Sequence, residues 1–264
     1  MIVALRNQFG FEIPGERKSG TLYHQIFGIP DIGNRLIAPA ALRMVQEVMP
    51  ASRLLDLGCG YGRHSLIVAK RLGPHVVGLD ISKEKIMEAV KLKRRMKLKN
   101  VDFILADALH LPFREHSFHV AIILEVLEHI TRDSELVKEL SKVLEGASAY
   151  VILSTPKIGS TSKMKLLRGL DYRREFGHVR EGYILDSLAT LFLENSFEID
   201  DNIEVVGPMA ALAWQIGWFF SVRKRLRKVS HIVFPLLLLI SKLDFIYKYA
   251  ERLWIVARFK KILS

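Results

Sequence analysis

The chain has 264 residues, half of them hydrophobic and a quarter charged, a composition that excludes a disordered chain and suits one folded domain with room for a sizeable insertion. A formal net charge of +11 favours anionic partners, whether nucleic acid, lipid headgroups or an acidic substrate, and does not choose among them. The single cysteine, Cys59, excludes an intrachain disulfide and a multi-cysteine zinc site, and points to a reducing, cytoplasmic compartment.

Met1–Gly10 holds only a short apolar run before Arg6 and Asn7, too little for the apolar segment of a secretory signal. Asn34–Met49 predicts a helix broken near Pro39 and lying over one end of a sheet as a cap. From Arg53 onward, short β-rich runs alternate with helical stretches, the pattern of βαβ units that build a parallel sheet. The expected strands are Arg53–Leu57, His75–Asp80, Asp102–Ala106, Val120–Leu124, Tyr150–Ser154, Phe197–Val206 and Leu253–Phe259. Helices are expected over Gly62–Leu72, Lys83–Leu98, Asp133–Leu144 and Tyr183–Glu194, with Ser82 as an N-cap and Gly73-Pro74 and Gly146 as stop signals. The chain thus divides into a helical cap (1–50), a core (51–206), a helical insertion (207–252) and a closing strand (253–264).

The insertion is the least ordinary stretch. An uncharged run, Val205–Val222, precedes Arg223, Lys224, Arg225, Arg227 and Lys228, and the apolar run Ile232–Ile240 follows. Leu226, Val229, Val233, Leu236, Ile240, Leu243, Tyr247 and Ala250 recur in steps of three and four, which predicts one apolar helical face, kinked at Pro235. Three readings stay open: a lid or dimer surface, attachment to an anionic membrane surface, or a true span. A span needs about 20 apolar residues, which Val205–Val222 approaches only by using up the end of the sixth strand.

In LLDLGCGYGRHS, Gly58, Gly60 and Gly62 recur at every second position between a strand and a helix. Such a turn lets the backbone approach a ligand at a helix N-terminus, where free N–H groups favour an anion. The spacing is G-x-G-x-G rather than the G-x-G-x-x-G that seats a dinucleotide pyrophosphate. Asp56, Asp80 and Asp107 stand at three consecutive strand ends, with Asp80 placed to accept from ribose hydroxyls and Asp107 from an adenine amino group.

In order along the chain, LLDLGCGYGRHS, VVGLDIS, FILADALHLPF, FHVAIILEVLEHI and YVILSTP resemble the successive motifs of class I S-adenosylmethionine-dependent methyltransferases, over about Arg53–Pro156. EVLEHI, with GHVREGY at Gly177–Tyr183, is similar to their quinone-biosynthesis (type 11) subgroup. The resemblance implies an α/β, Rossmann-like fold: a seven-stranded, mostly parallel sheet with helices on both faces, an N-terminal helical cap and a helical insertion before the last strand. It implies S-adenosylmethionine as cofactor, with the methionine part on the Asp56–Gly62 loop, the ribose on Asp80 and the adenine on Asp107, and further contacts from Ile81, Ala108 and Leu124. His119 departs from the pattern, where the family often has Asp.

A sulfonium methyl is already activated, so the protein has to align a nucleophile and exclude water. A base is needed only where the acceptor must lose a proton, and Glu125, Glu128, His129 and His178 are the candidates, with His129 or His178 expected to assist. The chemistry requires no metal; the resemblance makes Glu125, Glu128 and His129 the ligands if a divalent cation is held. Cys59 reads as a small buried filler, which leaves no cysteine nucleophile for carbon-five methylation of pyrimidines. Glu125-Val126-Leu127-Glu128 stands where base amino-methylating enzymes carry Asn/Asp-Pro-Pro-aromatic. The expected activity is in-line methyl transfer to an O, N or C atom of a small, hydrophobic or lipid-like acceptor. The alternatives are an RNA methyltransferase using Lys91–Lys99 and Arg223–Lys228 on phosphates, or a non-catalytic cofactor-binding protein. No oligomeric state is legible.

Overall fold

An apolar run such as Val120–Leu124 is buried over its length only in a sheet covered on both faces, and the chain builds one. The computed structural model describes residues 32–49, 53–146, 149–160, 177–222, 227–245 and 252–262. In chain order the elements are α1 (Ile32–Val48), β1 (Arg53–Leu57), α2 (Arg63–Leu72), β2 (His75–Asp80), α3 (Lys83–Met96), β3 (Val101–Leu105) and β4 (Val120–Leu124). They continue as α4 (Asp133–Val143), β5 (Tyr150–Pro156), α5 (Leu185–Leu193), β6 (Phe197–Val205), α6 (Pro208–Val222), α7 (Arg227–Lys242) and β7 (Trp254–Lys261). Short 3-10 turns lie at Leu127–His129 and Leu243–Phe245.

The strands form one seven-stranded sheet in the order β3-β2-β1-β4-β5-β7-β6. β1 to β5 pair in parallel, and β7 runs antiparallel between β5 and β6. The expected Rossmann-like, mostly parallel sheet is therefore present. Strand order reverses between β1 and β4, so a crevice opens beyond their carboxyl ends, where open α/β sheets bind ligands.

Alternation along the strands feeds two cores. Leu55, Leu57, Ala121, Ile123, Val151 and Leu153 face α4 and α5, where Leu136, Leu140, Leu188 and Phe192 meet them. Leu54, Val120, Ile122, Ile152 and Val256 face the other way, onto Met44 and Val45 of α1, Leu66 and Val68 of α2 and Leu92 of α3. The N-terminal helix therefore covers a face of the sheet rather than one end. It also runs unbroken through Pro39, because burial of Ile37, Ala38, Ala41 and Met44 holds both sides of the proline in register; tertiary packing outweighs the local penalty. Residues 1–31 of the expected cap lie outside the described residues.

The insertion is a helix pair closed by its own cap. Ala213 of α6 packs on Phe234 and Leu237 of α7, with Leu36 of α1 and Trp214 alongside. Asp244, beyond α7, accepts from the N–H groups of Met209 (2.8 Å) and Ala210 (3.2 Å), which satisfies the first turn of α6 and places a carboxylate at its positive end. Of the expected apolar face of α7, Leu236 and Leu243 are exposed, whereas Phe234, Leu237 and Ser241 on the other side are buried against the protein. In a run such as FPLLLLI nearly every side of a helix is apolar, so periodicity alone does not choose the face that α6 covers. Pro235 lies inside a continuous α7. Leu226, Tyr247 and Ala250 of the predicted face lie outside the described residues. No described helix is long and apolar enough to cross a membrane.

This placement separates neighbouring leucines. Leu237→Ala is expected to destabilise the protein by about 2–5 kcal/mol, and Leu236→Ala by less than about 0.5 kcal/mol, measured by denaturant unfolding; equal losses would mean that both leucines are buried.

Candidate active site

The glycine loop leaves β1 with three residues at positive φ, Gly58 at 70°, Gly60 at 54° and Gly62 at 73°. Two of them admit no side chain. A β-carbon on Gly58 would lie 2.4 Å from Val126 Cγ2, and one on Gly62 would lie 2.4 Å from Phe103 Cζ. At Gly60 nothing lies within 4 Å of that position, so the loop is packed at both ends and open in the middle. Tyr61 and Ile81 are exposed beside the opening.

The loop is held by its own strand ends. Cys59 N–H donates to Leu79 O (2.9 Å) and Gly62 N–H to Cys59 O (2.9 Å). Asp80 accepts from Gly60 N–H through Oδ2 (2.8 Å) and from Ser82 N–H through Oδ1 (2.8 Å). The acid expected to hold a ribose therefore also braces the loop; each carboxylate oxygen keeps a further lone pair for a ligand. Asp56 is a different case. It is buried and accepts from the Ser65 hydroxyl of α2, so its contact is between strand and helix, and burial pushes its carboxyl up to about 6 while Ser65 opposes the shift. Asp107 accepts from Leu109 N–H (2.9 Å) at the end of β3, with Ala108 packed against the core beside it. Burial pushes the Cys59 thiol far up, which makes it the inert filler expected from its position.

Beyond β4, Glu125 adopts φ 58°, a strained conformation for a non-glycine residue. Both carboxylate oxygens are engaged: Oε1 accepts from the Ser154 hydroxyl (2.8 Å) and Oε2 from the Trp254 indole N–H (2.8 Å). Burial nevertheless pushes this group up to about 6. Glu125 is thus turned toward β5 and β7 and does not join the metal-ligand set in which the sequence placed it.

Glu128 is fully buried, with Oε2 accepting from Thr155 Oγ1 (3.4 Å) and Oε1 without a hydrogen-bond partner among the described residues. Burial first, then the nearby Glu125 charge, holds its carboxyl well above the usual range. His129 Nδ1 lies 3.2 Å from Gly177 O. A carbonyl only accepts, so Nδ1 bears the proton and Nε2 is the basic nitrogen of the neutral ring. His178 is buried, and its ring meets that of His129 edge-on at 4.7 Å between centroids. Ligand atoms of Glu128, His129 and His178 all lie within 4.8 Å of one another.

GHVREGY forms the far wall of this cluster. Val179 N–H donates to Glu128 O (2.9 Å), and Arg180 donates to the carbonyls of Ile130 (2.7 Å) and Thr131 (3.1 Å) and pairs with Asp133. The Tyr183 hydroxyl donates to Asp133 (2.7 Å). Arg180 and Tyr183 were in a quoted motif but not among the predicted site residues. Ser154 and Thr155 likewise lie in the motif YVILSTP without being predicted as site residues, and Trp254 gave no signal, since it lies 129 residues from Glu125.

This strand order with its antiparallel last strand, the braced glycine loop and the acids at successive strand ends make up the fold of the class I S-adenosylmethionine-dependent methyltransferases. Residues 49–175, just under half of the chain, match the family model described as "Methyltransferase domain". Norajmaline N-methyltransferase of Rauvolfia serpentina is 30% identical over 127 residues, 44% of this chain and 44% of that protein; the chain thus matches less than half the length of that relative. The ubiquinone/menaquinone biosynthesis C-methyltransferase UbiE of Ruegeria sp. (strain TM1040) is 27% identical over 171 residues, 60% of this chain and 68% of that one. Phosphoethanolamine N-methyltransferase 2 of Haemonchus contortus, solved in complex with S-adenosyl-L-methionine, superposes with a TM-score of 0.63 at 18% identity, over 91% of this chain and 56% of that one. S-adenosylmethionine is the cofactor of the class, and the open centre of the loop at Gly60 fits a ligand there.

Two measurements check this construction. Gly58→Ala, which drives a β-carbon into Val126, is expected to weaken S-adenosylmethionine binding by at least about tenfold in calorimetry. Asp56 ties stability to pH: below its ordinary value of 3.8 both folded and unfolded chains are protonated, and between there and about 6 only the folded chain keeps the proton. That stability is lost as pH rises through 6. Asp56→Asn cannot lose it, so the variant's unfolding free energy relative to the parent is expected to improve by on the order of 2 kcal/mol from about pH 4 to about pH 7; a pH-independent difference would place the carboxyl in water.

Proposed function

We propose that the protein catalyses methyl transfer from S-adenosylmethionine to a small, hydrophobic or lipid-like acceptor at O, N or C, with His129 removing the acceptor proton. The observation that carries this reading is the cluster beyond β4: His129 presents Nε2 as the basic nitrogen, against the buried His178 and the buried Glu128. The cofactor supplies a methyl already activated on sulfonium, so the chain's part is alignment, exclusion of water and proton removal. Val179, next to His178, and Ile158 and Ile184, which each follow a residue of the parallel Lys157–Tyr183 bridge, are exposed and support an apolar acceptor. UbiE, a biosynthetic enzyme of quinones by its name, supports the same direction. A cytoplasmic location rests on the single cysteine.

A second reading has its own observation. Glu128, His129 and His178 bring three ligand atoms within 4.8 Å, a set that can hold a divalent cation and bind an acceptor oxygen through it. The comparisons favour neither the RNA-methylating nor the non-catalytic alternative.

The test is an acceptor screen with lipid, quinone and RNA extracts, read by S-adenosylhomocysteine release and a mass gain of one methyl group. With the acceptor known, His129→Ala is expected to lower turnover by about 10²-fold with S-adenosylmethionine affinity retained. Unchanged turnover in His129→Ala and His178→Ala would sink the base reading, and turnover that survives chelation would sink the cation reading.

A further inference from the structure

The outward side of α7 carries an apolar stripe that the methyl-transfer chemistry does not use. Ile232, Leu236, Leu239 and Leu243 are 77%, 58%, 60% and 39% exposed. Their spacing sets them in one line over about 16 Å of helix and the turn that follows it. The other side of the same helix already holds it to the protein, with Phe234 and Leu237 packed on Ala213. Helix α7 is therefore apolar on two sides, and its fold needs only one. A continuous aliphatic row facing water is unfavourable unless something covers it.

The sequence directly before the stripe identifies the cover. Arg223, Lys224, Arg225, Arg227 and Lys228 place five basic residues in a stretch of six, and Arg227 opens α7. An aliphatic helical row that follows a basic run in the sequence suits an anionic bilayer, whose acyl boundary takes the aliphatics and whose headgroups attract basic residues. The chain's net charge of +11 adds to its attraction to anionic lipid. The helix has 16 residues and is not long and apolar enough to cross, so it lies on the surface.

The insertion also leaves the sheet at the edge that bears the site. Val205 and Pro156 both pair with Trp254, and Trp254 reaches Glu125 beyond β4. We infer that the outward stripe of α7 docks the protein on the surface of an anionic lipid bilayer. This rests on the stripe and the charge, not on the methyl-transfer reading, and its test uses no turnover.

The full chain is sedimented with vesicles of phosphatidylcholine alone and of phosphatidylcholine with phosphatidylglycerol. Binding is expected to the anionic vesicles at low salt, to fall as salt rises, and to drop roughly tenfold or more in Leu236→Ser/Leu239→Ser. Thermal unfolding and S-adenosylmethionine affinity establish that this variant is folded; if it is not, the single change Ile232→Ser at the most exposed position takes its place, with a severalfold loss expected. No binding to anionic vesicles at low salt overturns the inference, and so does parental binding by a folded stripe variant. A variant that dissociates a dimer in light scattering without altering vesicle binding assigns the stripe to a second copy of the chain and equally overturns it.

Discussion

Four carboxylates buried or nearly so at one edge of a sheet are the constraint around which this structure is arranged. Moving an ionised carboxylate out of water is costly unless hydrogen bonds replace its hydration or it keeps a proton. Asp80 is satisfied by two backbone amides, and Asp56 by the Ser65 hydroxyl. Glu125 takes Ser154 and the Trp254 indole, while Glu128, with one oxygen unpartnered among the described residues, has its carboxyl held well above the usual range by burial. Each solution recruits a different element. The glycine loop, α2, β5 and β7 are thereby fastened to the edge where the cofactor belongs.

The same constraint ties the insertion to the site. Glu125 holds Trp254, and Trp254 meets Trp214 of α6 edge-on at 5.5 Å. Asp244 then closes the helix pair at the N-terminus of α6, with Arg252 beside it at 3.7 Å. A continuous set of contacts therefore runs from the end of β4 to the helices that present the outward stripe. The strained φ of Glu125 is held by this arrangement, since turning its carboxylate elsewhere would leave the indole N–H and the Ser154 hydroxyl to find new partners.

Local patterns carried most of the fold. Strands β1, β2 and β4 have the boundaries expected from their apolar runs, and α2 and α3 end within two residues of their predicted stops. These signals survive because β-branched runs, glycine stops and a serine cap act within a few residues. Pro39 was misread for the complementary reason: its helix is kept whole by packing on β5 and β7, far away in the chain. Which side of α7 is buried was not legible either, because an all-round apolar helix takes its orientation from its neighbour.

By itself, the sequence determined the glycine loop, the acids at successive strand ends and hence the cofactor class, since these depend on residue types at short spacing within a βα unit. The tertiary structure alone decided what the acids do. It showed Asp56 as a strand-to-helix contact, Asp80 as a brace, Glu125 turned away to Trp254, and His178 brought 49 residues back onto His129. Desolvation and hydrogen bonding between distant segments set these roles, and neither is encoded in spacing along the chain.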